Sequence, residues 1–410
     1  MPGLRSNDSL LLFVLAVFFL FFTKANCKIR VTDLWCSTQL ASWKLENDSA
    51  IHSIKQRSMP IFANIALSRN LTATINTVLA SSKVIDGTFD DFVLSGLTDL
   101  KLGGSYLTCL RNPDDFLITF GLNIPTPRCV TLEAQGIEAK YGLDADERYV
   151  QRWISRDFLD IPTTHYWAGW EMDLGAYHAW VLSKKVCLGL GASYYYRGAF
   201  RYFSDLPKEK LDLGDELALT IGLDIDLLSY QYSLDFNYTI RGKDKLGNKD
   251  YFYPGEKIIC AYNGIYRWPL NFSSLRRGCL VELEPGISYR HVFGNRFNEK
   301  HPWVGSIDFL QFEDLGSRQA DASLKASVWV TRILNFIVLG NYRVFWNKRD
   351  KIGNMWTVGA GFCLENSSGF ANWCDIEIIY HYSFKGRQSF FGSDYNVSGS
   401  FISAGIKVKI

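Results

Sequence analysis

The clearest feature of the chain is a strict alternation of apolar and polar residues over positions 216–241. Apolar side chains take the odd positions of 217–227 and, after a turn at Leu228-Ser229, the even positions of 230–240. Successive side chains of a strand point to opposite faces, so this pattern gives each strand one apolar and one polar face. We predict a hairpin of two antiparallel strands of about eleven residues each.

The same alternation recurs along most of the chain. Between its occurrences we find turn signals, but no stretch with the period of a helical domain and no linker. The sequence therefore predicts a single all-β domain. The other clear occurrences lie at residues 186–197, 281–290, 321–330, 334–344 and 402–410.

The connections between the predicted strands alternate in length. Short ones lie at Arg69-Asn70 and 183–185, whereas long ones lie near 81–95 and 124–164. One more strand near residues 31–43 makes the strand number even. Short turns on one side and long loops on the other are typical of outer-membrane barrels, and we predict about 14–16 strands.

Alternation alone does not say which face is wet, because a secreted β-sandwich or propeller would bury the apolar face. Three features favour an apolar face toward lipid. The predicted strands are longer than the usual length of about five or six residues, as a tilted membrane crossing requires. Tyr and Trp lie at strand ends, as in an interfacial girdle. A barrel of about 14–16 strands is too wide for side chains to fill, so its interior should hold water. We therefore predict one transmembrane, antiparallel up-and-down β-barrel in the bacterial outer membrane, with a polar, wet interior.

The N-terminus has the features of an export signal. Residues 10–22 form an unbroken apolar run of 13 residues, preceded by Arg5. A helix needs about 20 apolar residues to span a bilayer, so the run fits a signal-peptide core better than an anchor. We predict a signal peptide over 1–25 and the barrel over 26–410. An uncleaved anchor and lipidation at Cys27 are the alternatives.

Charge and cysteine content narrow the function classes. Lys and Arg number 44 against 42 Asp and Glu, a net charge of +2, which argues against nucleic-acid binding through a basic field. The nine cysteines show neither CxxC nor Cys/His metal spacing. Cys363 and Cys374 fall on opposite faces of the predicted strands, so we expect mostly free cysteines.

Three segments carry a family resemblance. Residues 94–106 read LSGLTDLKLGGSY, residues 122–127 read LNIPTP, and residues 59–74 form the preceding hairpin. They resemble the SGLGDL–LG–Y segment, the LPTG step and the preceding hairpin of outer-membrane proteins of the phenol-degradation meta-pathway family. Thr98 and Pro127 stand where that family usually has Gly. The resemblance implies a relative of the long-chain fatty-acid channels that passes hydrophobic or aromatic compounds.

Charged residues on the polar faces are candidates for a lumen lining. The carboxylates near Asp224 could suggest acid–base chemistry, but a solvated wall balanced by basic residues is the better interpretation. His381, on a polar face, is the one histidine to test for a barrel-type lipid hydrolase, and no GxSxG, HExxH or P-loop motif occurs. We predict no catalytic residue, no metal site and no cofactor. The lumen-lining candidates are Asp224, Asp226, Asp235, Asn237, Arg241, Glu282, Glu284, Arg290, Lys325 and Arg343.

The long connection 124–164 has helical features. Acidic residues at 144–147 suit the N-terminus of a helix, and an apolar stripe follows at helical spacing. We predict that this loop narrows or covers the pore, with packing against neighbouring loops as the alternative. The constriction candidates are Val150, Trp153, Ile154 and Phe158.

Together these features predict an outer-membrane channel or uptake porin for small solutes, which the family resemblance suggests are hydrophobic or aromatic. Its expected partners are outer-membrane lipid and a small-molecule solute, with no nucleic acid. The alternatives are a structural or adhesive barrel with a plugged lumen and, further behind, a lipid hydrolase. The oligomeric state does not follow from the sequence.

Overall fold

The fold is known from a computed structural model. It describes residues 30–46, 51–86, 91–111, 114–125, 150–151, 161–163, 169–200, 210–227, 229–270, 279–294, 296–297, 317–331, 333–346, 351–365, 375–390 and 393–409. The predicted signal peptide lies outside the described residues.

Almost all of the described chain is β-strand. No helix within the described ranges is long and apolar enough to cross a membrane, which has no bearing on crossing by strands. The strands are β1 (Arg30–Glu46), β2 (Ile51–Ala66), β3 (Leu71–Asp86), β4 (Phe92–Leu97), β5 (Leu100–Arg111), β6 (Asp114–Ile124), β7 (Glu171–Ser183), β8 (Val186–Arg197), β9 (Leu211–Asp212), β10 (Glu216–Asp226), β11 (Tyr230–Arg241), β12 (Asp244–Leu246), β13 (Lys249–Tyr253), β14 (Lys257–Leu270), β15 (Cys279–Val292), β16 (Arg296–Phe297), β17 (Arg318–Trp329), β18 (Leu334–Trp346), β19 (Lys351–Glu365), β20 (Asp375–Phe390) and β21 (Ser393–Lys409).

Seventeen of these strands form one closed sheet. Apart from β4 and β5, each pairs antiparallel with the next strand of this sheet along the chain, and β1 closes the barrel by pairing with β21. Because β4 and β5 both pair with β3 and are separated only by Thr98-Asp99, they count as one wall strand, which gives sixteen. The predicted all-β, antiparallel, up-and-down barrel is confirmed, and the strand near residues 31–43 is β1.

The two ends of the barrel differ. β1 begins and β21 ends on what we call the turn side, where β7 and β8 are joined by only two residues. On the opposite, loop side, the chain travels from Ile124 to Glu171 between β6 and β7. The expected long connection at 81–95 is wrong, because β3 and β4 pair from Ser81↔Ser95 to Val84↔Phe92.

A second, four-stranded sheet of β9, β12, β13 and β16 lies on the loop side. Its strands come from the connections β8–β10, β11–β14 and β15–β17, so it belongs to one side of the barrel; we call it the cap. Asp244 ties two of these connections together, since its Oδ1 accepts a hydrogen bond from the Gly214 amide at 2.9 Å. Burial raises the pKa of this carboxyl to about 6.

Strand length divides the barrel into two walls. The strands β19–β21 and β1–β3 have 15 to 17 residues, and we call them, with the combined strand β4–β5, the long wall. The strands from β6 to β18 that belong to the barrel have 11 to 14 residues and form the short wall. At about 3.3 Å per residue, a strand of the long wall is on average longer than one of the short wall by about 10 Å.

The short wall turns its apolar face outward. Leu219, Ile221 and Leu234 are 44%, 46% and 49% exposed, while the alternate positions carry the polar and charged side chains. An exposed apolar face of this extent is what a lipid-facing barrel requires. The predicted orientation, with apolar side chains outward, is therefore found in the short wall.

In the loop-side half of the long wall the orientation is inverted. On β1, Leu40 faces outward and is 42% exposed, but Trp43 and Leu45 are 2% and 0% exposed and face the interior. The outward neighbours there are Ser42 and Lys44. The prediction of a polar, wet interior is wrong for this region. Its apolar core consists of Ala41, Trp43, Leu45, Ile54, Ala80, Val84, Leu94, Val150, Ile161, Phe345, Met355, Tyr395 and Val397.

Candidate functional site: the barrel interior

The inward face can be traced around the barrel from the strand register. Residues directly paired across strands share a face. Gln56 contacts the β6–β7 connection inside the barrel and pairs with Ala41 and Ser82, which fixes the inward parity of β1–β3. On β19, Thr357 faces the interior. It pairs with Asn341 on β18, so Asn341 faces inward as well, and the same pairing rule extends the inward parity along the short wall.

All ten lumen-lining candidates lie on this inward parity, since each pairs with other inward residues. Asp224 lies opposite Ser233, Asp235 opposite Gly222, and Arg290 opposite Gln319. The structure does not gather them into one cluster: they are spread over five strands and both halves of the lumen. Their role in permeation stays a prediction.

At the loop-side end of the short wall the inward charges form a chain of ion pairs. Arg197 Nη2 lies 2.5 Å from Glu216 Oε1, and Arg241 Nε lies 2.8 Å from the same oxygen. Glu171 adds a second carboxylate 3.7 Å from Arg197 Nε. We call this chain, with the Arg343–Asp321 pair further along the wall, the charged arc.

Further ion pairs lie below the charged arc. Arg267 Nε bonds Glu282 Oε2 at 2.6 Å, and Lys325 Nζ lies 2.8 Å from Glu284 Oε1. Glu282, Glu284 and Lys325 were predicted for the lumen, whereas Arg267 was not. Arg267 faces inward, opposite Glu282. It follows Tyr266 and precedes Trp268 near the end of β14, where the apolar and polar residues no longer alternate clearly.

The β6–β7 connection enters the lumen of the long wall. Gln56 holds it in both directions: its Nε2 donates to the Thr163 carbonyl at 2.7 Å, and its Oε1 accepts from the Thr163 amide at 2.9 Å. The same Nε2 lies 2.6 Å from Ser82 Oγ. Both partners of each bond are buried. We call this group of hydrogen bonds the Gln56 latch.

Parts of the predicted constriction can be placed. Val150 is helical and fully buried in the apolar core, and Ile161 is buried there as well. Trp153, Ile154 and Phe158 lie outside the described residues. Sequence reasoning did not single out residues 161–163 or Gln56. Gln56 was missed because its strand has polar residues on both faces, so its alternation is weak.

An open cavity of about 570 Å³ lies beside the latched loop. Its described wall combines rings, aliphatic side chains and polar groups, and none of the described lining residues is Asp, Glu, Lys or Arg. Asn341 Oδ1 and Thr163 Oγ1 are buried without a hydrogen-bond partner among the described residues. The lining residues are Trp35, Gln39, Pro60, Val78, Ile161, Pro162, Thr163, Leu339, Asn341, Thr357, His381 and Phe401.

His381, the histidine singled out by the sequence, lies in this cavity wall. Its ring centroid is 5.3 Å from that of Phe401. Nearby, Thr357 Oγ1 and Ser383 Oγ share a hydrogen bond of 2.7 Å. These uncharged groups suit hydrogen bonding to a small solute.

The described cysteines agree with the expectation of free thiols. Cys36, Cys187, Cys260 and Cys363 form no disulfide. Cys374 lies outside the described residues, so the proposed opposite placement of Cys363 and Cys374 stays a prediction. Within the described ranges, no group of three or more His, Cys, Asp or Glu side chains is arranged to hold a metal ion.

No family model matches the chain, and no curated protein matches it in sequence. Solved structures with a similar arrangement of strands include a bacterial polysaccharide outer membrane secretin, with 8% identity, coverage of 92% of this chain and 98% of that one, and a TM-score of 0.44. OccAB1 of Acinetobacter baumannii has 12% identity, coverage of 93% and 99%, and a TM-score of 0.40. An outer membrane channel of Pseudomonas putida F1 has 10% identity, coverage of 92% and 95%, and a TM-score of 0.34. Such distant likenesses support no conclusion about function, and the phenol-degradation family is not confirmed.

Proposed function

We propose that this protein is a channel of the bacterial outer membrane for small solutes. The main support for the proposal is the division of the barrel interior into a charged wall and a wall with no charged residue among the described cavity-lining residues. A sixteen-strand barrel leaves an aqueous lumen, and here one wall of that lumen carries ion pairs while the other holds a loop beside an uncharged cavity. A narrowed, chemically divided lumen suits selective passage better than a plain structural barrel.

The preferred solutes in this proposal are neutral, hydrophobic or aromatic. The cavity walls offer Trp35 and Phe401 as ring surfaces, and Asn341 and Thr163 as hydrogen-bonding groups. An ion entering this cavity would lose hydration without meeting an opposite charge, which is costly. A neutral ring with one hydroxyl or carbonyl group loses less hydration and gains contacts, so it should pass the narrow region more easily.

Liposome swelling tests this proposal with solutes of matched size. Proteoliposomes should admit benzyl alcohol and benzamide faster than benzylamine or arabinose, after subtraction of the flux through protein-free liposomes. Asn341→Asp places a charge in the cavity and should remove the preference for neutral rings. Asn237→Asp makes the matched change on the short wall, away from the cavity, and should leave the preference in place. Swelling at the protein-free rate for every solute would overturn the channel.

The apolar core supports a second candidate, a structural or adhesive barrel with a plugged lumen. Core residues from both walls and from the loop meet at the loop side, with Leu45, Ile54, Val84 and Val150 fully buried. If this core closed the lumen completely, the purified protein would pass no ions in a planar bilayer. The swelling assay and the conductance of the intact protein separate the two candidates.

A further inference from the structure

The outer face of the long wall carries a group of basic side chains. Lys44, Lys55, Arg57 and Lys83 lie on the adjacent strands β1, β2 and β3, and all point away from the interior. The inward residues between them are the buried Trp43, Ile54, Gln56 and Val84. We call these four side chains the basic patch.

The register brings these charges close together. Lys55 lies directly opposite Lys83, and Arg57 lies two residues from Lys55 on the same face. Side chains directly opposite on an antiparallel pair have Cβ atoms about 5 Å apart, and like charges in that arrangement are destabilising. An anion placed between them would remove this repulsion.

Local carboxylates neutralise only part of the patch. Lys44 pairs with Glu46, and Lys83 pairs with Asp91. Within the described part of the chain, neither Lys55 nor Arg57 forms an ion pair, and both are exposed. Among the described residues, the patch therefore presents two positive charges without an ion-pair partner beside two paired ones.

The patch lies where the apolar outer surface ends. Leu40 lies directly opposite Arg57, and Val93 lies directly opposite Lys83. Leu40, Leu79 and Val93 are 42%, 47% and 49% exposed on the same face. Leu79 lies on the turn side of the patch, and Leu40 and Val93 lie among its basic side chains. Basic side chains that meet the edge of an apolar surface are expected at the level of lipid headgroups.

The corresponding level of the short wall is different. Its outward side chains near the loop side include Tyr194, Tyr238 and Tyr289, the amphipathic rings of an interfacial girdle. Among the described residues of these strands, Arg318 is the single outward base at that level. The concentration of basic charge on the long wall is therefore local and is not a general feature of the rim.

We propose that the basic patch binds the phosphate groups of an anionic lipid in the outer leaflet, which surrounds the loop side of such a barrel, with the acyl chains lying along Leu40 and Leu79. Lys55, Arg57 and Lys83 would contact the phosphates through charge-assisted hydrogen bonds. A lipid fits better than a soluble anion because the apolar surface continues directly from the basic one. The site is independent of solute passage through the lumen.

The test compares two triple variants of the full-length protein in phosphatidylcholine nanodiscs containing diphosphorylated lipid A. Lys55→Gln/Arg57→Gln/Lys83→Gln removes the patch. Lys184→Gln/Lys185→Gln/Lys249→Gln removes the same charge from exposed positions elsewhere. With about 1 kcal/mol per basic residue near an anionic surface, the patch variant should bind lipid A about a hundredfold more weakly, measured by native mass spectrometry. The control variant should bind as the wild type does.

Three further arms make the outcome decisive. Lipid A without phosphates should bind the wild type as weakly as the intact lipid binds the patch variant. Lys55→Arg/Lys83→Arg should retain binding. Equal binding by both triple variants, or displacement of the lipid by millimolar inorganic phosphate, would overturn the proposal. Heat-modifiable migration on gels checks that every variant is folded, and unchanged conductance of the patch variant separates this site from the channel.

Discussion

The two walls of this barrel use the same alternation of side chains in opposite ways. Along β10 and β11 in the short wall, the apolar parity faces outward from one end to the other, and charged residues line the lumen. Along β1 in the long wall, the outward parity is apolar only as far as Leu40, after which Trp43 and Leu45 fill the interior and Lys44 faces outward.

The difference shows what decides the orientation of an amphipathic strand. A strand inside a bilayer must present apolar groups to lipid, whereas a strand that has left the bilayer must present polar groups to water. The long-wall strands are longer and leave the apolar belt near Leu40 and Leu79. Above that level the wall behaves like part of a water-soluble protein, and Val150 and Ile161 of the β6–β7 connection belong to its core.

The largest expected effect concerns the interior of the long wall. Trp43→Ala should lower the free energy of unfolding by about 3–5 kcal/mol, because it removes a buried ring from a packed core. The adjacent Lys44→Ala changes an exposed outward side chain and should stay within about 0.5 kcal/mol of the wild type. Urea titration of protein refolded into lipid vesicles measures both. Similar losses for the two variants would contradict the inverted orientation.

The next effect concerns the outer face of the short wall. Leu234→Arg should destabilise the barrel by about 2–4 kcal/mol, because it places a charge against lipid. Ser233→Arg points the same side chain into the lumen near Asp224 and should cost less than about 1 kcal/mol. The same urea titration compares them, and a greater loss for Ser233→Arg would mean that the two faces are assigned the wrong way round.

The cap, which only the short wall carries, should respond to pH. Since burial raises the folded-state pKa of Asp244 to about 6 from 3.8, the folded cap holds this proton more tightly than the unfolded chain. The stabilisation is complete below about pH 4 and is lost as the pH rises through 6, by up to about a hundredfold in the opening equilibrium. Asp212, whose pKa burial also raises, acts in the same direction.

Hydrogen exchange of residues 244–253, corrected for the intrinsic rate, measures this response. Protection should fall between pH 4 and pH 7 in the wild type and change much less in Asp244→Asn. Lys243 lowers the pKa of Asp250 through a hydrogen bond, so protonation of Asp250 should change the exchange protection only below about pH 4. Protection that rises toward pH 7 in the wild type would contradict the assignment.

The smallest expected effect concerns the charged arc. Glu216→Gln removes the carboxylate shared by Arg197 and Arg241 and should shift the reversal potential in a KCl gradient toward anion selectivity, at a stability cost of about 1 kcal/mol. Glu282→Gln frees only Arg267 and should produce a smaller shift. Equal selectivity in both variants would show that the arc does not act on permeating ions.

The sequence predicted the short wall well and the long wall poorly, for a physical reason. Alternation in residues 216–241 is complete because lipid and water lie on fixed sides of those strands. In residues 41–46 and 80–86 the orientation reverses within one strand, so the pattern weakens and a connection was expected at 81–95. A switch of parity from apolar-out to apolar-in, as at Leu40, is the signal that could have revealed it.

The contents of the lumen were harder to predict. Inward charges such as Arg241 and Lys325 followed from parity alone, but the partners of Glu216 depend on the register between strands. The Gln56 latch joins residues more than one hundred positions apart, and no local pattern encodes that contact. Three consecutive residues of that connection, Ile161, Pro162 and Thr163, form part of the cavity wall beside the latch.

Single-channel conductance tests the central claim, that the lumen is a solute pathway narrowed by the β6–β7 loop. We expect the intact protein to give small, stable conductance steps in a planar bilayer. Deletion of residues 145–158 should give larger steps and weaker solute selectivity, while the barrel keeps its resistance to heat. No steps from the intact protein, or unchanged steps from a correctly inserted deletion variant, would contradict this account.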